Sequence, residues 1–289
     1  MYNRFNNYHD NLEIYKYYQN STNIKISSGE GIESDKVIIF FTGHGLYYPT
    51  SIEKFREEVI QNDKYEWQNI SKDSRILSSV SEFIYVRDVY KNWCLEGING
   101  TINTQDKVKE RLKEIISERK VITVGSSAGG YMAILFGILL DAETIYTFSP
   151  QVNLYEYYMD HPYEYFEEYK KNPATRKYMD LKGLMSKYSG NLLYWYPVRC
   201  EEDVRQYNSV RDCKNVHFFT MSGSKHGETL WGESFIQTLS MPVERVVEVS
   251  RKYEGKVISP FTYCCETSGI VKATAIKVGK TIRNLISKK

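Results

Sequence analysis

Short apolar runs recur along this chain with a helical pattern between them, and that alternation leaves few folds open. KVIIFFTG from Lys36, KVITVG from Lys120, TIYTFSP from Thr144 and NVHFFTM from Asn215 are continuous rather than alternating in polarity. Strands covered on both faces read this way, because neither row of side chains meets water. FIYVRDVY from Phe83 and NLLYWYP from Asn191 extend the series less purely. Between them, TQDKVKERLKEIISER places Val108, Leu112 and Ile115 on one helical face with Thr104 or Asn103 as N-cap, whereas AGGYMAILFGILL is apolar almost all round. Strand and helix in regular succession imply parallel crossovers. The expected architecture is α/β, a mostly parallel sheet with helices on both faces, in one domain over residues 1–269. At 289 residues and 42% hydrophobic content, the chain can bury one large core.

The alternation lapses from Gln151 to about Tyr188, where many of the 25 tyrosines gather in NLYEYYMDHPYEYFEEYKKNPATRKY. A long insertion at a strand's end is expected to be a lid over a site. From Ile270 to Lys289, IVKATAIKVGKTIRNLISKK has basic residues and no acidic ones, with Val271, Ala275, Val278, Ile282 and Leu285 at helical spacing. This is a basic amphipathic helix, either docked on the body with its lysines solvated or in contact with a membrane or a partner protein.

Outside that tail most basic residues alternate with acids, and the formal charge is only +2, so no nucleic-acid surface is expected. The five cysteines, Cys94, Cys200, Cys213, Cys264 and Cys265, form no C-x-x-C pair and no zinc-like spacing. Reduced thiols, no metal and no cofactor are the expectation. The first twenty residues lack the pattern of a secretory leader, and no apolar run is long enough to span a bilayer, which points to the cytoplasm.

The chemistry concentrates where KVITVG meets the apolar helix, at Gly125-Ser126-Ser127-Ala128-Gly129. A parallel strand turning sharply into a helix holds the middle residue of G-x-S-x-G in a strained conformation, and small neighbours let strand and helix approach. Ser127 is therefore the exposed hydroxyl rather than Ser126. With a buried strand before it and an apolar helix after it, this stretch resembles the nucleophile elbow of the α/β-hydrolase superfamily, and the resemblance runs roughly from Lys36 to Leu239.

The resemblance implies a base and an acid in the chain order Ser, acid, His. His217 lies inside the NVHFFTM strand, while His226 follows that strand in the loop SGSKHGETL, at the edge where open α/β sheets bind ligands. His226 is the expected general base. The loop after NLLYWYP offers Glu201, Glu202 and Asp203, of which Asp203 is chosen and Glu202 kept as the alternative. For the oxyanion, the Ala128 amide follows the nucleophile, and the loop in FFTGHGLYYP resembles the superfamily's His-Gly segment. There His44-Gly45 is the matching pair, and Leu46 supplies the second amide, or Gly45 in its place.

These residues imply a serine hydrolase that cleaves a carboxylic ester through an acyl-enzyme. GSSAGGY and FSPQ, with RDVYKNW upstream, also look like small bacterial hydrolases associated with surface-polysaccharide synthesis, which implies an O-acyl group on a glycan as substrate. Tyr155, Tyr157 and Tyr158 are the expected substrate-binding residues, with flat faces and hydroxyls suited to sugars. An O-acyltransferase acting on a glycan and a non-catalytic hydrolase-fold binding protein are the alternatives.

Overall fold

The computed structural model describes residues 11–31, 33–160 and 166–286. Its strands are β1 (Ile24–Ser28), β2 (Lys36–Phe41), β3 (Glu82–Val86), β4 (Lys120–Ser126), β5 (Thr144–Phe148), β6 (Asn191–Pro197), β7 (Val216–Met221) and β8 (Val257–Ile258). They form one sheet in the order β1-β3-β2-β4-β5-β6-β7-β8. β1 runs antiparallel to β3, and the other pairings are parallel.

Successive side chains of β2 go to opposite faces. Val37, Ile39 and Phe41 join Val108, Leu112 and Phe136 in one core, while Ile38 and Phe40 join Phe219, Phe235 and Val246 in another. A strand with apolar partners on both faces needs an unbroken apolar sequence, which is why these strands were legible. β1 and β8 were not. β1, IKISS, lies at the sheet edge with its second half exposed, and β8 has two residues. Neither carries a buried run to betray it.

The helix Gln105–Ile116 is capped by the Thr104 hydroxyl, which accepts the Lys107 amide at 3.2 Å. Its buried apolar residues are Val108, Leu112 and Ile116, with Ile115 only partly covered. The stripe thus continues at a spacing of four residues, one position past the expected one.

The tyrosine-rich insertion folds into the helices Leu154–Asp160, Phe166–Lys171, Pro173–Arg176 and Lys182–Met185. Tyr158, Tyr169, Tyr178 and Tyr188 are buried in the same core as the helix Ala128–Leu139, and the Tyr131 hydroxyl donates to the Tyr178 carbonyl at 2.8 Å. Much of the tyrosine load is core. Residues 161–165, inside the expected lid, lie outside the described residues.

On the other face lie the helices Gly232–Ser240, Val243–Lys252 and Pro260–Ser268, followed after Gly269 by Ile270–Ile286. This last helix rests on the body through buried Ala273, a Lys272–Glu233 ion pair at 2.6 Å, and Lys277 and Lys280 over the rings of Phe261 and Trp231. Lys288 and Lys289 of the expected tail are outside the described residues.

Candidate active site

β4 ends at Ser126, and the helix Ala128–Leu139 begins two residues later, so Ser127 alone makes the turn. It does so at φ 57° and ψ −124°, a region L-residues avoid and which costs of order 1–3 kcal/mol. The turn is held by its neighbours: the Ser127 amide donates to Phe148 O on β5 at 2.9 Å, and its carbonyl accepts from Tyr131 at 3.2 Å. The flanking glycines are explained by contact. A Cβ on Gly125 would lie 2.0 Å from the Gly129 carbonyl oxygen, and one on Gly129 would lie 2.5 Å from the Phe41 oxygen and 3.1 Å from the Gly43 nitrogen. Strand, helix and the loop after β2 meet at backbone distance, and no side chain fits between them.

The structure brings together three residues separated by up to 99 positions. His226 Nε2 lies 2.8 Å from Ser127 Oγ, and His226 Nδ1 lies 3.1 Å from each carboxylate oxygen of Asp203. An ionised carboxylate only accepts, so Nδ1 carries the proton, and in the neutral ring Nε2 is then the acceptor for the Ser127 hydroxyl. Asp203 is 2% exposed, in the first turn of the helix Glu201–Val210, whereas 35% of the His226 side chain remains open to solvent. Burial lowers the pKa of His226, but the Asp203 hydrogen bond and charge, with the Glu202 charge behind them, outweigh it and hold the imidazole above its ordinary 6.5. His217 stays on β7, where burial and the Arg251 charge lower its pKa.

The loop that carries His226 is shaped by residues that the sequence did not single out. The Glu228 carboxylate accepts the Ser224 and Lys225 amides at 2.9 and 3.1 Å, and the Ser149 hydroxyl, just after β5, accepts the Gly227 amide at 3.1 Å. Ser149 is itself buried at φ 48°. A serine or glutamate in a polar loop carries no signal of such a role, because its partners come from other strands or from the loop's own turn.

The oxyanion loop corrects one expectation. His44–Tyr47 is a 3₁₀ turn, and the Leu46 amide donates within it to the Gly43 carbonyl at 3.3 Å. Leu46 is therefore withdrawn as the second donor. Gly45 takes its place as candidate: like Ala128, it stands in the first turn of its helix, where amides have no partner within the helix. Beneath this loop lies Glu66, another residue the sequence did not mark. Its Oε2 accepts the Gly43 amide at 2.7 Å, and its Oε1 lies 3.1 Å from where a Cβ of Gly45 would stand. Burial raises the Glu66 pKa, against the Gly43 hydrogen bond and the charges of Lys64 and Lys91. The adjacent Trp67 ties its indole N–H to the Phe41 carbonyl at 3.0 Å and stacks on Phe235.

A narrow cleft of about 10 Å³, room for about one water molecule, reaches His226 and Asp203 and is lined also by Tyr157, Gln151, Glu202 and Arg205. Of the three tyrosines expected to bind substrate, only Tyr157 lines it. Tyr158 is 4% exposed and stacks on Phe166 with ring centroids 3.6 Å apart, so it is a core residue. Tyr155 lies outside the cleft, edge-on to Phe166.

The serine follows β4 on a strained elbow, the acid follows β6, and the histidine follows β7 at the same edge of a mostly parallel sheet. The chain has the α/β-hydrolase fold. No protein-family model and no curated protein matches its sequence. Among solved structures it is similar to the capsule O-acetyltransferase of Neisseria meningitidis serogroup A, at 15% identity and a TM-score of 0.49, over 70% of this chain and 84% of that one. A monoacylglycerol lipase of Paleococcus ferrophilus gives 11% identity and a TM-score of 0.46, over 78% of this chain and 98% of that one. MenH from S. aureus gives 10% and 0.39, over 89% of this chain and 97% of the other. At these values the α/β-hydrolase assignment stands on the strand order and the elbow of the chain itself.

Proposed function

We propose that the protein is a serine esterase that cleaves an O-acyl ester, with Ser127 as nucleophile, His226 as general base and acid, and Asp203 as the residue that orients the imidazole. The observation that carries this reading is the pair of hydrogen bonds at His226, 2.8 Å to Ser127 and 3.1 Å to both oxygens of Asp203. Nε2 takes the Ser127 proton as Oγ adds to the ester carbonyl carbon. The oxyanion so formed faces the amides of Ala128 and Gly45, and collapse expels the alcohol, which receives the proton from Nε2. Water, deprotonated by the same nitrogen, then adds to the acyl carbon, and collapse releases the acid while Nε2 returns the proton to Ser127 Oγ. Glu66 acts through the loop as a positioning residue, since its hydrogen bond to the Gly43 amide sets where the Gly45 amide lies.

The alcohol half of the substrate we take to be glycan-like. Tyr157 and Arg205 line the cleft that reaches His226, and an aromatic ring with a polar neighbour is chemistry suited to a sugar.

A fluorophosphonate probe with peptide mapping tests the nucleophile, and the expected adduct is on Ser127. Ser127→Ala abolishes labelling and lowers p-nitrophenyl acetate turnover by several orders of magnitude, while Ser126→Ala retains most of both. Unchanged turnover in Ser127→Ala refutes the mechanism. Adding a soluble oligosaccharide to the same assay distinguishes hydrolysis from transfer to a hydroxyl, because transfer yields an acylated sugar in place of free acid.

A further inference from the structure

We propose that the helix Ile270–Ile286 docks the protein on an anionic lipid bilayer. Val271, Val278 and Ile282 are 82%, 52% and 50% exposed. At about 100° per residue their side chains fall within about 40° of one another, forming a single stripe along the helix. The opposite side is already committed to the body: Ala273 is buried, Lys272 pairs with Glu233, and Lys280 lies 4.9 Å from the Trp231 ring centroid. The helix therefore cannot roll its apolar stripe inward without giving up the contacts that seat it. The cavity beside it, lined by Trp231, Glu233, Lys272 and Ile276, lies on that inner flank and offers the stripe no cover.

Charge decides what the stripe fits. Residues 270–289 hold Lys272, Lys277, Lys280, Arg283, Lys288 and Lys289 and no acid, although the formal charge of the whole chain is only +2. The positive excess of the protein resides in this segment. A second copy meeting stripe to stripe would set two such segments against each other, and like charges oppose that contact. An anionic bilayer supplies both halves of what the segment carries: an apolar boundary a few ångströms deep for valine and isoleucine, and negative headgroups that meet its net positive charge. No helix among the described residues is long and apolar enough to cross a membrane, so the attachment is peripheral.

The full chain is sedimented with phosphatidylcholine vesicles that contain about one third phosphatidylglycerol, and with pure phosphatidylcholine vesicles. Binding is expected to the first, about tenfold or more weaker to the second, and similarly weakened in about 0.5 M salt. The combined substitutions Val271→Ser, Val278→Ser and Ile282→Ser, and separately Arg283→Gln with Lys288→Gln and Lys289→Gln, are each expected to lower binding about tenfold or more, with melting temperature and turnover of a soluble ester unchanged. Should a variant not fold, hydrogen exchange on the unaltered chain decides: amides of 270–286 gain protection on anionic vesicles and not on neutral ones. Absence of binding to anionic vesicles, binding indifferent to the stripe substitutions, or self-association in sedimentation velocity that those substitutions abolish would each overturn the proposal. None of these readouts depends on Ser127 being a nucleophile.

Discussion

Replacing Asp203 with asparagine tests the catalytic reading at its most sensitive point. Both carboxylate oxygens lie 3.1 Å from His226 Nδ1, so neither orientation of an amide fits the ring as it stands. If the amide oxygen accepts from Nδ1–H, the NH₂ group lies equally close to the same proton. When the amide turns its NH₂ to the ring it donates to an unprotonated Nδ1, the imidazole proton then sits on Nε2, and that nitrogen no longer accepts from Ser127, 2.8 Å away. The wrong tautomer also loses the anion that stabilises the imidazolium. The expected loss in kcat is about 10⁴-fold, or about 5 kcal/mol of transition-state stabilisation, with the fold intact because the amide matches the carboxylate in size. The assay is p-nitrophenyl acetate hydrolysis at saturating ester, with Glu202→Gln in parallel. Glu202 lines the cleft and raises the His226 pKa by charge alone, so its loss should cost far less. A loss below about tenfold in Asp203→Asn, or the reverse ranking of the two variants, refutes the reasoning.

Other expectations follow from the same geometry. Because the His226 pKa is raised, kcat/KM should rise with pH through an inflection above 6.5, and Asp203→Asn should move that inflection down in whatever activity remains. Stability runs the other way: the favourable His226–Asp203 interaction is complete below about pH 6.5 and fades as pH climbs through the raised folded-state pKa, which thermal melts across that window would read. Tyr158→Ala should cost about 3–5 kcal/mol of stability, as for other large buried aromatics, whereas half-buried Tyr157, edge-on to Trp93, should cost less on truncation to alanine and raise KM for a glycan ester more than for acetate. Equal effects of the two substitutions on stability would place Tyr157 in the core as well. Glu66→Ala should lower kcat about tenfold or more with KM little altered, and Glu66→Gln, which keeps an acceptor for the Gly43 amide, should restore most of it. If both variants lose activity only in step with melting temperature, Glu66 is structural and does not set the oxyanion loop.

The layers of this protein and one point of its chemistry are legible in consecutive residues. β2, β5 and β6 are buried on both faces and β4 and β7 largely so, which leaves them mostly apolar with few interruptions, and that requirement is written in consecutive residues. The Ser127 elbow was legible for a similar reason: strand, tight turn and helix are contiguous, and the backbone contacts that exclude a Cβ at Gly125 and Gly129 leave glycine at fixed spacing. The outcome was not legible where partners come from distant parts of the chain. The amide of Leu46 was lost to a turn of its own loop, Gly45 came forward, and Glu66 entered from twenty-three positions beyond Gly43. Tyr157 and Tyr158 are adjacent and chemically alike, yet a helix sends one toward His226 and the other onto Phe166. Local pattern fixes which face of an element is apolar, but which polar group meets which depends on how the elements close on one another, and a single chain carries no periodic trace of that.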